Sequence, residues 1–182
     1  MDETVKKYVD RILSYTQGQK PLRVQAATAG ALARLIKSVP LAKLRKRPSL
    51  EQWSAVEILA HLADSEIVIG WRLRAILGAP GTPIEAYDQD AWNAAGHYAE
   101  RDPRQCLEQF RAIRKANLLL LNSLTPEQWT YYGIHSERGK ETVERIVTMI
   151  AGHDLNHVQQ LERILASPKR KSGNPEASRR AA

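Results

Sequence analysis

The segment AGHDLNHVQQLERIL, residues 151–165, places His153 and His157 four positions apart. On a helix that spacing stacks two side chains one turn apart on the same face. Two imidazoles so placed aim at one point and can offer two nitrogen ligands to a metal ion. The other reading is a pair of buried core histidines, each needing partners for one donor and one acceptor. At about 100° per residue, with His153 at zero, His157 lies about 40° away. Val143, Ile146, Ile150, Leu161 and Ile164 fall on the same side, and Glu144 and Glu162 fall opposite. Both histidines therefore sit inside the apolar stripe.

A third ligand must come from His61, His97 or His135. His61 is mid-helix in EILAHLADSE, at the border of a face formed by Ile58, Leu62, Ile69, Leu73 and Ile76. His97 and His135 fall in loops, where an ordinary exposed histidine is the expected outcome. A helix holds a ligand more accurately than a loop, which favours His61. A zinc-protease helix reads H-E-x-x-H, but Asp154 holds the second position here and no third histidine follows. A di-iron site needs two Glu-x-x-His elements, and only DLNH, Asp154 to His157, comes near. A mononuclear three-histidine site fits better.

Other residues could support such a site. Asp154 lies about 100° from His153 and needs a partner if buried. It either orients a histidine through a hydrogen bond or pairs with Arg72 or Arg74 of GWRLRAIL. Glu66 is a similar case. Arg72 lies close to the His61 direction, where it meets an anionic group or is simply solvated. Trp71, Tyr87, Trp92, Tyr98, Trp129, Tyr131 and Tyr132 gather around two loops and either wall a pocket or pack in the ordinary way. Cys106 reads as a small helix residue without an activating neighbour.

The elements that position these residues read as helices. Residues 3–15 are amphipathic. A second helix follows Pro21, which suits a first helical turn. PLAKLRKRPS is a basic connector, and SAVEILAHLADSEIVIGWRLRAIL is a long helix stopped by Gly78 and Pro80. Residues 78–102 form the least regular stretch, with a helical turn in AYDQDAWNAAG. A third long helix opens with Asp102 as N-cap and Pro103. TYYGIHSERGK reads as a loop, and ETVERIVTMIAGHDLNHVQQLERILA as the last long helix, ended by Pro168. No strand pattern stands out. Four long helices imply an all-α four-helix bundle with a short extra N-terminal helix.

WSAVEILAHLADSE at 53–66 and GHDLNHVQQL at 152–161, the latter led in by GKETVERIVTMI, resemble the DinB-like family of metal-binding four-helix bundles. That superfamily includes bacillithiol transferases and mycothiol-dependent isomerases. The resemblance covers roughly residues 20–166. It implies that His61, His153 and His157 are metal ligands, that the metal is divalent, often zinc or nickel, and that open positions face water or substrate. It also implies that homodimers are common. It does not imply one reaction.

Three neutral histidines leave a divalent ion its full charge, which favours an anionic ligand. Two reaction classes follow. A metal-bound thiolate could attack a small electrophile, giving a thiol S-transferase with a low-molecular-weight thiol as cosubstrate. A metal-bound hydroxide could hydrolyse a small substrate. The reading from another class is a non-catalytic metal- or ligand-binding protein of a stress response.

Bulk properties set the bounds. The 182 residues suit one domain, expected over residues 1–166. Cys106 is the only cysteine, so no intrachain disulfide forms, which favours a cytoplasmic setting. The charged start MDETVKKYVDRILSY lacks the apolar core of a signal peptide, and no apolar run is long enough for a membrane span. Of the net charge of +7, +4 sits in residues 167–182, where Lys169, Arg170, Lys171, Arg179 and Arg180 face Glu176 alone, and the rest is spread over the preceding residues with the signs interleaved. A basic tail attracts polyanions. It has no aromatic residue for base stacking, so the expectation is a solvated, disordered tail with no nucleic-acid partner.

Overall fold

Ser54 fixes the start of the helix that carries His61. Its hydroxyl accepts from the Glu57 backbone N–H, and the Glu57 carboxylate accepts from the Ser54 N–H. This reciprocal cap satisfies two donors that a helix start leaves open. The computed structural model describes residues 3–166; the basic tail and its Pro168 lie outside the described residues. In chain order the helices are α1 (Glu3–Ser14), α2 (Pro21–Ile36), α3 (Leu41–Arg45), α4 (Ala55–Gly78), α5 (Gln89–Ala95), α6 (Pro103–Asn122) and α7 (Val143–Leu165). The long helices α2, α4, α6 and α7 form the expected bundle. Both α2 and α4 pack on α6 and α7.

Apolar residues fill the bundle as two clusters. One gathers Leu32, Leu59, Leu62, Phe110 and Leu161. The other gathers Leu73, Ile76, Leu121, Val143 and Val147. Among these apolar residues each long helix contributes buried polar groups: Thr28 on α2, His61 and Glu66 on α4, Arg114 on α6, Asp154 and His157 on α7. The middle of the bundle is a polar layer, and the candidate site lies in it.

The structure also contains strands that the sequence pattern did not suggest. β1 (Pro83–Ile84) runs parallel to β2 (Tyr132–His135), which pairs antiparallel with β3 (Gly139–Thr142). The segment read as a loop is thus a hairpin, and α7 begins at Val143 rather than Glu141. Gly139 turns the chain at φ +73, a value that favours glycine. Thr142 ends β3 and caps α7, accepting from the Arg145 N–H. The sheet therefore sets where the helix with two of the histidines starts.

The short helix α1 lies against α7. Gly152 allows this close approach, since a Cβ there would stand 2.1 Å from the Ile12 carbonyl oxygen. No helix among the described residues is long and apolar enough to cross a membrane.

Candidate metal centre

α4 and α7 bring His61, His153 and His157 together, with one ring nitrogen from each lying within 4.8 Å of the others. His61 Nε2 and His153 Nε2 are 3.1 Å apart. Ring centroids stand 5.2 Å apart for His61–His153, 5.1 Å for His61–His157 and 4.5 Å for His153–His157. A tetrahedral cation bound about 2.0–2.1 Å from each imidazole nitrogen would hold those nitrogens roughly 3.3 Å apart. The His61–His153 approach is close to that spacing. The donor set fits a divalent metal.

Electrostatics point the same way. Burial, and then the neighbouring His157, push His61 down to about 3. Burial pushes His157 down to about 4 against the opposing pull of Gln160 and Asp154. His153 is pushed down by burial, then by His157 and His61. All three rings are therefore neutral near pH 7, with lone pairs available to a cation. His157 Nδ1 lies 2.9 Å from Gln160 Oε1. The amide oxygen only accepts, so Nδ1 carries the proton and Nε2 keeps its lone pair. The hydroxyl of Ser65 lies 3.5 Å from His61 Nδ1 and 2.9 Å from the Tyr87 hydroxyl. Trp53 packs its ring edge-on against His61, centroids 5.1 Å apart.

Asp154 differs from both partners expected for it. Its carboxylate accepts from Arg114 Nη1 at 2.5 Å, from Arg114 Nη2 at 3.1 Å and from the Thr28 hydroxyl at 2.9 Å. Arg114 also donates to Glu66 at 2.8 Å, and Asn117 donates to the other Glu66 oxygen at 2.9 Å. No histidine among the described residues hydrogen-bonds to Asp154, so it reaches the rings only through its charge. Arg72 and Arg74 do not pair with it. Arg72 donates to the Glu85 carbonyl, and Arg74 to Gly70 and Asn117. Periodicity on one helix gave the direction of Asp154, whereas its partner sits on a third helix.

The other histidines divide. His97 is exposed, as expected. His135 is not; it is 2% exposed on β2 and outside the trio. Its burial follows from the hairpin, which the sequence pattern did not reveal. Cys106 is buried in the core, and burial raises its thiol to about 11, which keeps it unreactive.

Two cavities reach the histidines. One, of about 330 Å³, is lined by His61, His153, Ser65 and Tyr87, by the apolar Val68, Ile69, Ile146, Met149 and Ile150, and by Tyr8 from α1. The other, of about 970 Å³, is lined by His157, Trp53, Lys46, Arg47 and Arg163. Tyr8 and Gln89 border both. Of the aromatic residues singled out in sequence, Tyr87 lines the first cavity, while Trp71 and Trp92 are 60% and 41% exposed. Sequence reasoning missed Tyr8, Trp53, Ser65 and Gln160. Helical spacing carried a signal for the last two, which follow His61 and His157 by four and three positions.

The sequence profile of the DinB superfamily matches residues 25–161. A protein of Oceanobacillus iheyensis, named provisionally as a metal-dependent hydrolase, is 24% identical over 115 residues. That match covers 63% of this chain and 66% of the relative. Among solved structures, YfiT from Bacillus subtilis aligns with a TM-score of 0.72 at 22% identity, covering 79% of this chain and 84% of that one. It is described, again provisionally, as a metal-dependent hydrolase with an unusual four-helix bundle topology. A mycothiol-dependent maleylpyruvate isomerase aligns with a TM-score of 0.60 at 12% identity, covering 81% of this chain and 60% of that one.

Proposed function

This chain belongs to the DinB superfamily, and we propose that it is a metal-dependent enzyme acting on small molecules, with His61, His153 and His157 as metal ligands. The observation that carries this reading is the convergence of three neutral imidazoles where two cavities meet. Bound there, a divalent ion such as zinc or nickel supplies Lewis acidity, which polarises a substrate and lowers the pKa of a water or thiol brought to it.

The chain's own residues do the rest. Gln160 holds the His157 proton on Nδ1, which orients the ring. The Ser65–Tyr87 hydroxyl pair beside His61 offers a hydrogen bond to a bound substrate. Val68, Ile69, Met149 and Ile150 give one approach apolar walls that exclude water. Lys46 and Arg163 give the other approach a basic rim.

Two approaches suit two reactants. We therefore favour a thiol S-transferase, with an anionic low-molecular-weight thiol entering by the basic groove and an electrophile by the apolar cavity. Hydrolysis of one small substrate is the second reading, favoured by the provisional names of the Oceanobacillus and Bacillus relatives. Residues 1–166 as one domain, a cytoplasmic setting and a homodimer belong to the same proposal, the dimer being testable by light scattering.

Metal analysis of untagged protein tests the common part. We expect one divalent ion per chain, sharply lost in His157→Ala; no metal even after reconstitution would sink the reading. A screen of small thiols with an epoxide or aryl halide then separates the two reactions. Turnover that needs both metal and thiol supports transfer. Turnover of ester or amide substrates without thiol supports hydrolysis.

A further inference from the structure

Arg72 and Arg114 are the two buried arginines among the described residues, 6% and 3% exposed. Arg114 grips two carboxylates. Arg72 has no carboxylate partner among the described residues. Among the described residues it makes one hydrogen bond, to the Glu85 carbonyl at 2.5 Å, and its guanidinium lies 5.9 Å from the Tyr87 ring centre. A guanidinium has five N–H donors, so most of those on Arg72 remain for whatever fills the cavity it lines. Burying a cation that no carboxylate touches is unfavourable; burial, and then the charge of Arg138, lower its pKa against the weaker opposing pull of Tyr87, Glu141 and Glu137.

His135 adds a second, independent observation. It lines the same cavity and is 2% exposed. Its Nδ1 accepts from the Glu137 backbone N–H at 3.2 Å, so the ring proton sits on Nε2. Nε2 is buried and has no hydrogen-bond partner among the described residues. Such orphan donors are rare in native proteins. The other charges at this end are accounted for. Arg138 and Glu141 bind each other through two hydrogen bonds of 2.8 and 2.9 Å, and Glu137 is exposed. The groups short of partners are thus one guanidinium with spare donors, whose neighbouring carboxylates are engaged by Arg138 or exposed, and one buried N–H donor; both favour an anion.

Their placement fixes the orientation. His61, Ser65, Ile69 and Arg72 follow one face of α4. At about 1.5 Å rise per residue, Arg72 stands about 16 Å along the helix from His61. Ile69, Ile146, Met149 and Ile150 lie along the cavity. We propose that this cavity binds a small apolar molecule carrying a carboxylate, with the carboxylate on Arg72 beside His135 Nε2–H and the apolar body running toward the histidines. This names the substrate class for the apolar approach, and it rests on the proposed function for the reacting end of that molecule.

Calorimetric titration of the full chain with hexanoate, and with hexanamide as its neutral counterpart, tests the proposal. We expect hexanoate to bind about tenfold more tightly than hexanamide, the size of one charged hydrogen-bonding pair. The preference should be the same with metal and without it. Arg72→Met should erase the preference, Arg72→Lys should keep part of it, and His135→Phe should weaken hexanoate but not hexanamide. Equal binding of the two probes by the wild type overturns the proposal. So does a preference that survives Arg72→Met, or hexanoate binding that needs metal. Should Arg72→Met lose its fold with the Glu85 contact, methyl NMR of the wild type decides: hexanoate must shift Ile69 and Met149, and shifts elsewhere overturn it. A chain that never binds metal yet prefers hexanoate would refute the enzyme reading and leave the subsite standing.

Discussion

The polar layer of the bundle has two halves that resist burial differently. Around Arg114, charge is kept and matched: one guanidinium holds Asp154 and Glu66 through its two terminal nitrogens, with Thr28, Gln25 and Asn117 adding bonds, and only its Nε lacks a partner among the described residues. Around His153, charge is given up, and three imidazoles stay neutral because burial depresses their protonation. The first half is closed; its partners come from α2, α4, α6 and α7. The second half opens onto two cavities. A matched ion network serves to hold helices in register, while unmatched lone pairs beside a cavity wait for a ligand.

Breaking the closed half should give the largest effect. Arg114→Met leaves Asp154 and Glu66 buried without their cation, and we expect a loss of about 3–5 kcal/mol in urea unfolding. Replacing all three by apolar residues of similar size should recover most of that loss. In metal-free protein, His61→Leu should cost much less, because it removes a neutral ring. A His61→Leu loss as large as that of Arg114→Met would erase the distinction between the halves. Next in size is the support of the open half. Gln160→Ala frees the His157 Nδ1 proton and should weaken metal affinity about 10–100-fold. It should leave the stability of metal-free protein nearly unchanged.

The two halves were not equally legible in the sequence. The histidine trio could be placed because helical period converts spacing into direction, and caps such as Ser54 and Asp102 set the register. The Arg114 network could not, because its members come from four helices and no one-helix pattern names a partner across the bundle. The sheet was hidden for a different reason. Strands of two to four residues, with YGIH and GKET as sequences, carry too little alternation to register. From sequence, His135 therefore reads as an exposed loop residue. Tyr8 reaches the cavity only because Gly152 lets α1 approach α7, a contact between segments far apart in the chain.

The open half should also announce itself through pH. A histidine whose pKa is depressed on folding binds its proton mainly in the unfolded chain. Stability is then fully present above about 6.5 and falls as pH drops toward the folded value. For His61 and His157 those folded values are about 3 and about 4. Metal-free protein should lose roughly 1.4 kcal/mol per pH unit for each such histidine below pH 6.5. His61→Phe should reduce that slope by one histidine's share. An unchanged slope would mean that the proton uptake lies elsewhere.

The smallest effect belongs to a histidine in neither half. His97 is exposed, precedes a short turn and adopts a left-handed backbone at φ 47. Its Nδ1 lies 4.0 Å from the Glu100 carboxylate, with both side chains largely in solvent, and surface pairs of that kind contribute little. It lies outside the ligand trio. His97→Ala should therefore leave metal affinity unchanged and change the unfolding free energy by no more than about 0.5 kcal/mol. A lowered metal content in that variant would mean that the long connection between α4 and α6 folds over the site when metal binds, and the trio would no longer be the complete ligand set.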